Sequence, residues 1–111
     1  MNTEAAAYVK KLLDLYLALP ETPLRVSRHD RALALRLFQQ GVPASTVEAA
    51  FLLASARRLC RPGDAHPLGP IRSLHYFLPV IEEISAQPLP NDYLRYLRHK
   101  IALHRPKNHQ I

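Results

Sequence analysis

The chain has 111 residues, of which 48% are hydrophobic, and its formal net charge is +6. This length suits one domain, and the hydrophobic fraction excludes a disordered chain. The single cysteine, Cys60, excludes an internal disulfide and a Cys-x-x-Cys metal site, and no stretch is apolar for long enough to cross a membrane. Charged residues within the first apolar run argue against a signal peptide. We therefore expect one cytoplasmic helical domain over residues 1–111.

The first two helices are predicted by apolar residues at helical spacing and by the signals at their ends. One helix covers about Thr3–Leu19 and stops at Pro20, which disfavours helical geometry in the residue before it. Ser27 and Asp30 form a capping-box pattern that begins the second helix. Gly41 provides the left-handed residue that ends it.

The third helix is predicted to be the most buried. It begins near Pro43, runs to about Cys60 and is apolar on most of its sides, which is typical of a helix at the centre of a bundle. Its last turn carries arginines, which complement the negative end of the helix dipole. The loop RPGDAHPLGP, residues 61–70, then separates the two halves of the chain.

The stretch PIRSLHYFLPVIEEI, residues 70–84, has a broad apolar face but carries Pro79 in its middle. Proline lacks a backbone donor and clashes with the carbonyl four residues earlier, so a straight helix is excluded. Either one helix is kinked at Pro79, or a helix ends near Phe77 and another begins with Pro79 in its first turn. No Gly or Asn marks a stop, so we predict a single fourth helix, kinked at Pro79, in an all-α bundle of about five helices.

The fifth helix is predicted to begin at Asn91 and to end before Pro106, with a frayed tail, KNHQI, after it. From Tyr93 onward the chain carries five Lys/Arg and no acid. Cations on one stripe with interleaved tyrosines are typical of a surface that contacts phosphates and stacks bases. The arginines at the end of the third helix are added to this group. The predicted nucleic-acid-binding residues are Arg95, Arg98, Lys100, Arg105, Lys107, Arg57, Arg58, Arg61, Tyr93 and Tyr96.

Two questions about this surface stay open at the level of sequence. The basic residues could equally form a solvated face whose tyrosines pack on the core. The arginines near the loop, which also include Arg72, form one groove with those of the last helix only if the two groups meet in space.

The turn between the second and third helices could also belong to a DNA-reading helix-turn-helix. The turn LFQQGVPASTVEAAF has the spacing of a helix-turn-helix. We favour a bundle corner because the positions that would read bases carry poor readers: Ala44, Ser45, Thr46 and Glu48.

No residue pattern predicts catalysis, a metal or a cofactor. Glu82 and Glu83 are adjacent and point about 100° apart on a helix, so they do not converge. The six histidines are dispersed, and no nucleophile motif or phosphate-binding glycine loop is present. We expect Cys60 to pack as a small hydrophobic residue.

The segment GVP…VEAAFLLA followed by PIRSLHYFLPVIEEI, within about Ser27 to Ile84, resembles a helical unit of bacterial mobile elements. Plasmid and phage replication initiators and DnaD-type primosomal proteins carry a similar unit near their C-termini. The resemblance implies an accessory role at nucleic acid or within a nucleoprotein assembly. It does not imply direct initiation, because this chain lacks the winged-helix portion that would bind an origin.

Two functions therefore compete. The first is a non-enzymatic accessory of a replication or mobile-element complex that binds DNA or RNA through phosphates without reading sequence. The second is a protein-interaction module, such as a small helical subunit of a larger effector assembly, including a CRISPR-type one. The second predicts an exposed apolar patch rather than a continuous basic stripe.

Overall fold

The computed structural model describes residues 3–62, 64, 66 and 68–104. These ranges contain no strand, and their helices are α1 (Thr3–Leu17), α2 (Arg28–Gln39), α3 (Ala44–Leu59), a 3₁₀ helix (Leu74–Phe77), α4 (Leu78–Ala86) and α5 (Asn91–His104). The predicted all-α bundle of about five helices is confirmed. The tail KNHQI, predicted to be frayed, lies outside the described residues.

The end signals read from the sequence act as predicted around α2. The Ser27 hydroxyl accepts the Asp30 backbone N–H at 3.1 Å, and the Asp30 carboxylate accepts the Ser27 backbone N–H at 2.9 Å, which completes a capping box. At the C-terminal end of α2, Gly41 has a φ of +76°, a left-handed conformation that is strained for residues with a Cβ atom. Pro43 is the residue at which the chain enters α3.

Helix α3 lies at the centre of the bundle, as predicted, and packs against α1, α4 and α5. Its buried residues surround the helix rather than forming one stripe: Val47, Ala49, Ala50, Phe51, Leu53, Ala54, Ser55 and Ala56. Four of them are alanines, and small side chains allow neighbouring helices to approach closely. The helix that is buried on most of its sides is thus the one that packs against the most neighbouring helices.

The predicted kink at Pro79 is corrected by the structure to a change of helix type. The helical stretch begins as the 3₁₀ helix Leu74–Phe77 and continues from Leu78 as α4, with Pro79 in the first turn of α4. The missing N–H of a proline costs nothing there, because first-turn N–H groups have no partner within the helix. The second of the two solutions left by the sequence is therefore the one adopted.

Three aromatic rings form the middle of the core. Phe77 lies 4.8 Å from Phe51 and 6.1 Å from Tyr16 between ring centroids, and both pairs meet edge to face. All three side chains are at most 1% exposed. This cluster joins α1, α3 and the 3₁₀ helix, so that the segment before Pro79 is fixed to the bundle by Phe77.

A buried carboxylate makes a second connection between distant segments. Besides capping α2, Asp30 accepts the backbone N–H of Leu74 at 2.9 Å, across 44 residues of sequence. Asp30 is 1% exposed. Because a buried backbone donor must be paired, this bond fixes the start of the 3₁₀ helix against α2.

Tyr8 and Tyr16 are expected to ionise at higher pH than an ordinary tyrosine. Burial raises the pKa of each to about 12, and the charge of Asp30 adds to the effect on Tyr16. Since these folded pKa values lie above the unfolded value of about 10, the folded state keeps protons that the unfolded state releases. Stability should therefore fall as the pH rises from about 10 to 12. Phenolate absorbance of the folded parent and of its Tyr8→Phe and Tyr16→Phe variants checks this; ionisation of Tyr8 and Tyr16 near pH 10 in the folded protein would contradict it.

Candidate nucleic-acid interface

A groove between the second half of α3 and the first turns of α5 holds four of the predicted binding residues. We call it the α3–α5 groove, and its lining is Leu53, Ala56, Arg57, Cys60, Tyr93, Tyr96, Leu97 and Lys100. Its floor is apolar, and its edges carry two cations and two phenol rings. The two basic groups of the sequence therefore meet in space, through Arg57 and Lys100.

Two exposed tyrosines form the α5 side of this groove. Tyr93 is 42% exposed and Tyr96 is 50% exposed, so neither is packed into the core. Their rings are stacked, with centroids 5.8 Å apart and planes 27° apart. The Lys100 ammonium lies 6.0 Å from the centre of the Tyr96 ring. Exposed rings next to cations can stack on bases while phosphates are neutralised.

Arg57 forms the α3 side of the groove and is held by a carboxylate of α4. Its two guanidinium nitrogens donate to the two oxygens of Glu83 at 2.9 and 2.7 Å. This bidentate bond lowers the pKa of Glu83 and raises that of Arg57. Both side chains are about half exposed, so the pair contributes little to stability and an anion in the groove can compete for Arg57.

The Arg58 side chain is largely buried and makes several contacts within the chain. Its side chain is 7% exposed and contacts the Glu21 carboxylate, and it donates to the Tyr76 hydroxyl at 3.2 Å and to the Gly69 carbonyl at 2.6 Å. These bonds tie the chain segments before α2 and before the 3₁₀ helix to the end of α3. With its donors used in this way, we leave Arg58 out of the proposed contact set.

Arg57 and Arg61 also line a second, neighbouring groove, on the α4 side of α3. Its other lining residues are Ala54, Arg58, Leu68, Tyr76, Pro79 and Val80. Arg61 is exposed and donates to the His66 carbonyl at 2.7 Å. The Arg57 side chain thus lies between the two grooves, and Arg61 lines only the groove on the α4 side.

The predicted continuous stripe of cations and tyrosines on α5 is split by the structure. Arg95 and Arg98 lie about 200° and about 140° around the helix axis from Tyr93, away from the groove. Each faces a carboxylate: Arg95 lies 3.6 Å from Asp92, and Arg98 lies 3.4 Å from Glu48. These pairs are largely exposed and weak, but they reduce the positive field on that side. Arg105 and Lys107 lie outside the described residues.

Cys60 corrects another prediction. It is exposed and lines the α3–α5 groove, whereas the sequence favoured a packed hydrophobic residue. It follows the last residue of α3, where the chain turns outward into the loop. No sequence signal distinguished these two placements, because a cysteine at the end of a leucine-rich helix suits both.

Two other kinds of site are absent from the described ranges. No group of three or more His, Cys, Asp or Glu side chains is placed to hold a metal ion. No helix among these residues is both long enough and apolar enough to span a bilayer.

Fold and site together describe a small all-α bundle with a basic, tyrosine-lined groove between α3 and α5. No protein-family model, curated protein or solved structure matches the chain.

Proposed function

We propose that the protein binds nucleic acid without catalysis and without reading sequence, through the α3–α5 groove. Bases of a single strand would stack on Tyr93 and Tyr96, and Arg57 and Lys100 would neutralise the adjoining phosphates. The resemblance to helical units of replication initiators and primosomal proteins supports an accessory place in a nucleoprotein complex of a mobile element.

The single observation that carries this proposal is the exposed, stacked pair of tyrosines beside two cations. Aromatic residues that serve only the core are buried, as Phe51 and Phe77 are. Ring faces that remain open stack on any base, which gives affinity without sequence preference. A flexible single strand suits the groove better than a duplex does, because its bases are free to unstack.

Single-strand binding is expected to weaken when both rings are removed. Tyr93→Ala with Tyr96→Ala should lower affinity for a mixed-sequence single strand about tenfold or more, since stacking contributes about 1–3 kcal/mol per base. Affinity should also fall steeply between about 50 and about 200 mM salt, because phosphate contacts release counterions. Anisotropy titrations of labelled single-stranded DNA and RNA measure both effects.

The matched control is Tyr93→Phe with Tyr96→Phe, which keeps both rings and should bind like the parent. Both substitutions affect exposed side chains, so thermal unfolding of all three proteins should coincide. Parent-like binding by the alanine variant, or an affinity that does not respond to salt, would refute the proposal.

A protein-interaction module is the second candidate, favoured by one observation. Leu103 is 65% exposed and follows Tyr96 by seven residues, so an apolar edge continues along one side of α5. A helix of a partner protein could bind this edge. Leu103→Ala separates the two candidates: it should weaken a protein complex and leave single-strand binding unchanged.

A further inference from the structure

The outer face of α2 carries a second group of cations, separate from the α3–α5 groove. Arg28, Arg31 and Arg36 are exposed on the sides of α2 opposite its buried residues, and Arg25 is exposed just before the helix. We call these four residues the α2 face. The only acidic residue of α2 is Asp30, which is buried and accepts backbone N–H groups.

The α2 face differs from four of the six other arginines within the described ranges in its lack of carboxylate partners. All nine acidic residues of the chain fall within the described ranges. None of them forms an ion pair with an arginine of the α2 face, whereas Arg57, Arg58, Arg95 and Arg98 each face one. The positive charge of α2 is therefore the least compensated arginine cluster in the part of the chain that the structure describes.

The composition of the α2 face favours phosphate over a protein partner. Its cations are all arginines, whose planar fork binds phosphate oxygens in pairs. The large hydrophobic residues that are exposed all lie outside α2, and only Leu24, next to Arg25, adjoins the face. The face therefore lacks the cluster of apolar anchors that dominates protein interfaces. Phe38, the one Phe, Tyr or Trp residue of α2, is partly buried and packs on Tyr8 with ring centroids 5.3 Å apart. His29 is then the only exposed ring on α2, so the helix has no pair of open rings on which successive bases could stack.

The rigidity of α2 points to a duplex rather than a single strand. Arg28 and Arg36 are separated by about 12 Å along the helix axis, which matches three to four base-pair steps of about 3.4 Å each. A helix with fixed cation spacing suits a backbone with fixed phosphate spacing. It gains less from a flexible strand, which would have to be ordered on binding.

We propose that the α2 face binds the phosphate backbone of duplex nucleic acid. α2 packs against α1 and the 3₁₀ helix, whereas α5 packs against α3, so the two surfaces belong to different parts of the bundle. The inference extends the proposed function to a second nucleic-acid segment, but it rests on different residues and is tested separately.

The test compares two variants that each lose two positive charges. Arg28→Gln with Arg31→Gln removes half of the α2 face, and Lys10→Gln with Lys11→Gln removes two exposed cations of α1. Both variants and the parent are titrated with a mixed-sequence duplex and a single strand over a range of salt. The α2 variant should lower duplex affinity, and the slope of log K against log salt should fall by about 1.8, or 0.9 for each lost phosphate contact.

Single-strand affinity should change equally little in both variants, and melting curves should coincide with that of the parent. If the α2 variant loses no more duplex affinity than the α1 variant, the inference is overturned while single-strand binding can still stand. If the parent binds no duplex but binds polyglutamate in a manner that requires Arg28 and Arg31, the partner is an acidic protein and the inference is likewise overturned. Loss of duplex binding in the variant lacking Tyr93 and Tyr96 would show one shared surface and contradict two.

Discussion

Phe77→Ala is expected to lower the free energy of unfolding by about 3–5 kcal/mol, the range for truncating a buried phenylalanine. Phe77 is fully buried and contacts the rings of Phe51, Tyr16 and Tyr76, so its removal leaves a cavity lined by three segments of the chain. A small domain has a total stability of only about 5–15 kcal/mol, so this variant approaches unfolding at room temperature. Denaturant titration followed by circular dichroism measures the loss.

The control for that experiment is Leu24→Ala. Leu24 is 96% exposed, and shortening it should change stability by less than about 0.5 kcal/mol. A Phe77 variant that unfolds at nearly the same denaturant concentration as the Leu24 variant would mean that the aromatic cluster does not hold the core together.

Asp30→Ala should cost about 3 kcal/mol, which is far more than the loss of a helix cap. The substitution removes the partner of the Ser27 backbone N–H and leaves the buried Leu74 backbone N–H without an acceptor. An unpaired buried donor costs about 1–3 kcal/mol in addition to the lost cap, which is typically worth about 1 kcal/mol. Chemical denaturation with a linear extrapolation gives the difference.

Ser27→Ala weakens the capping box without removing either bond of the Asp30 carboxylate. It deletes only the hydroxyl that accepts the Asp30 backbone N–H, so it affects the cap and leaves the bond to Leu74 in place. We expect a loss of about 1 kcal/mol for Ser27→Ala. Equal losses for the two variants would show that the bond between α2 and the 3₁₀ helix adds nothing.

The helix boundaries were predictable because they depend on local chemistry. Ser27 and Asp30 are three residues apart, and Gly41 needs only its own backbone freedom. Pro20 gave the end of α1 only approximately, because α1 ends at Leu17, two residues before the predicted Leu19. The central position of α3 was predictable for a similar reason, since a helix that is apolar on most sides must be covered. The type of break at Pro79 was not predictable, because a kinked helix and a new helix start both accommodate the proline. The choice between them depends on how Phe77 packs against α1 and α3, which are distant in sequence.

The candidate site was predictable only in part, because charge compensation acts between distant residues. Glu83 holds Arg57 from 26 residues away, and Glu21 holds Arg58 from 37 residues away. No local pattern predicts such pairs. The α2 face, by contrast, could have been found from the sequence: Arg28, Arg31 and Arg36 lie on the sides of the helix away from Leu33 and Leu37. The concentration of cations and tyrosines after Tyr93 drew the prediction to the last helix instead.

The most direct test of single-strand binding in the α3–α5 groove uses Cys60, the only cysteine of the chain and an exposed residue of the groove lining. Its rate of alkylation is measured with and without a saturating single strand, for the parent and for the Tyr93→Ala, Tyr96→Ala variant. We predict that the strand slows alkylation severalfold in the parent, that salt restores the rate, and that the variant shows little protection. An unchanged rate while anisotropy reports a fully bound oligonucleotide would place the strand elsewhere and contradict the proposal.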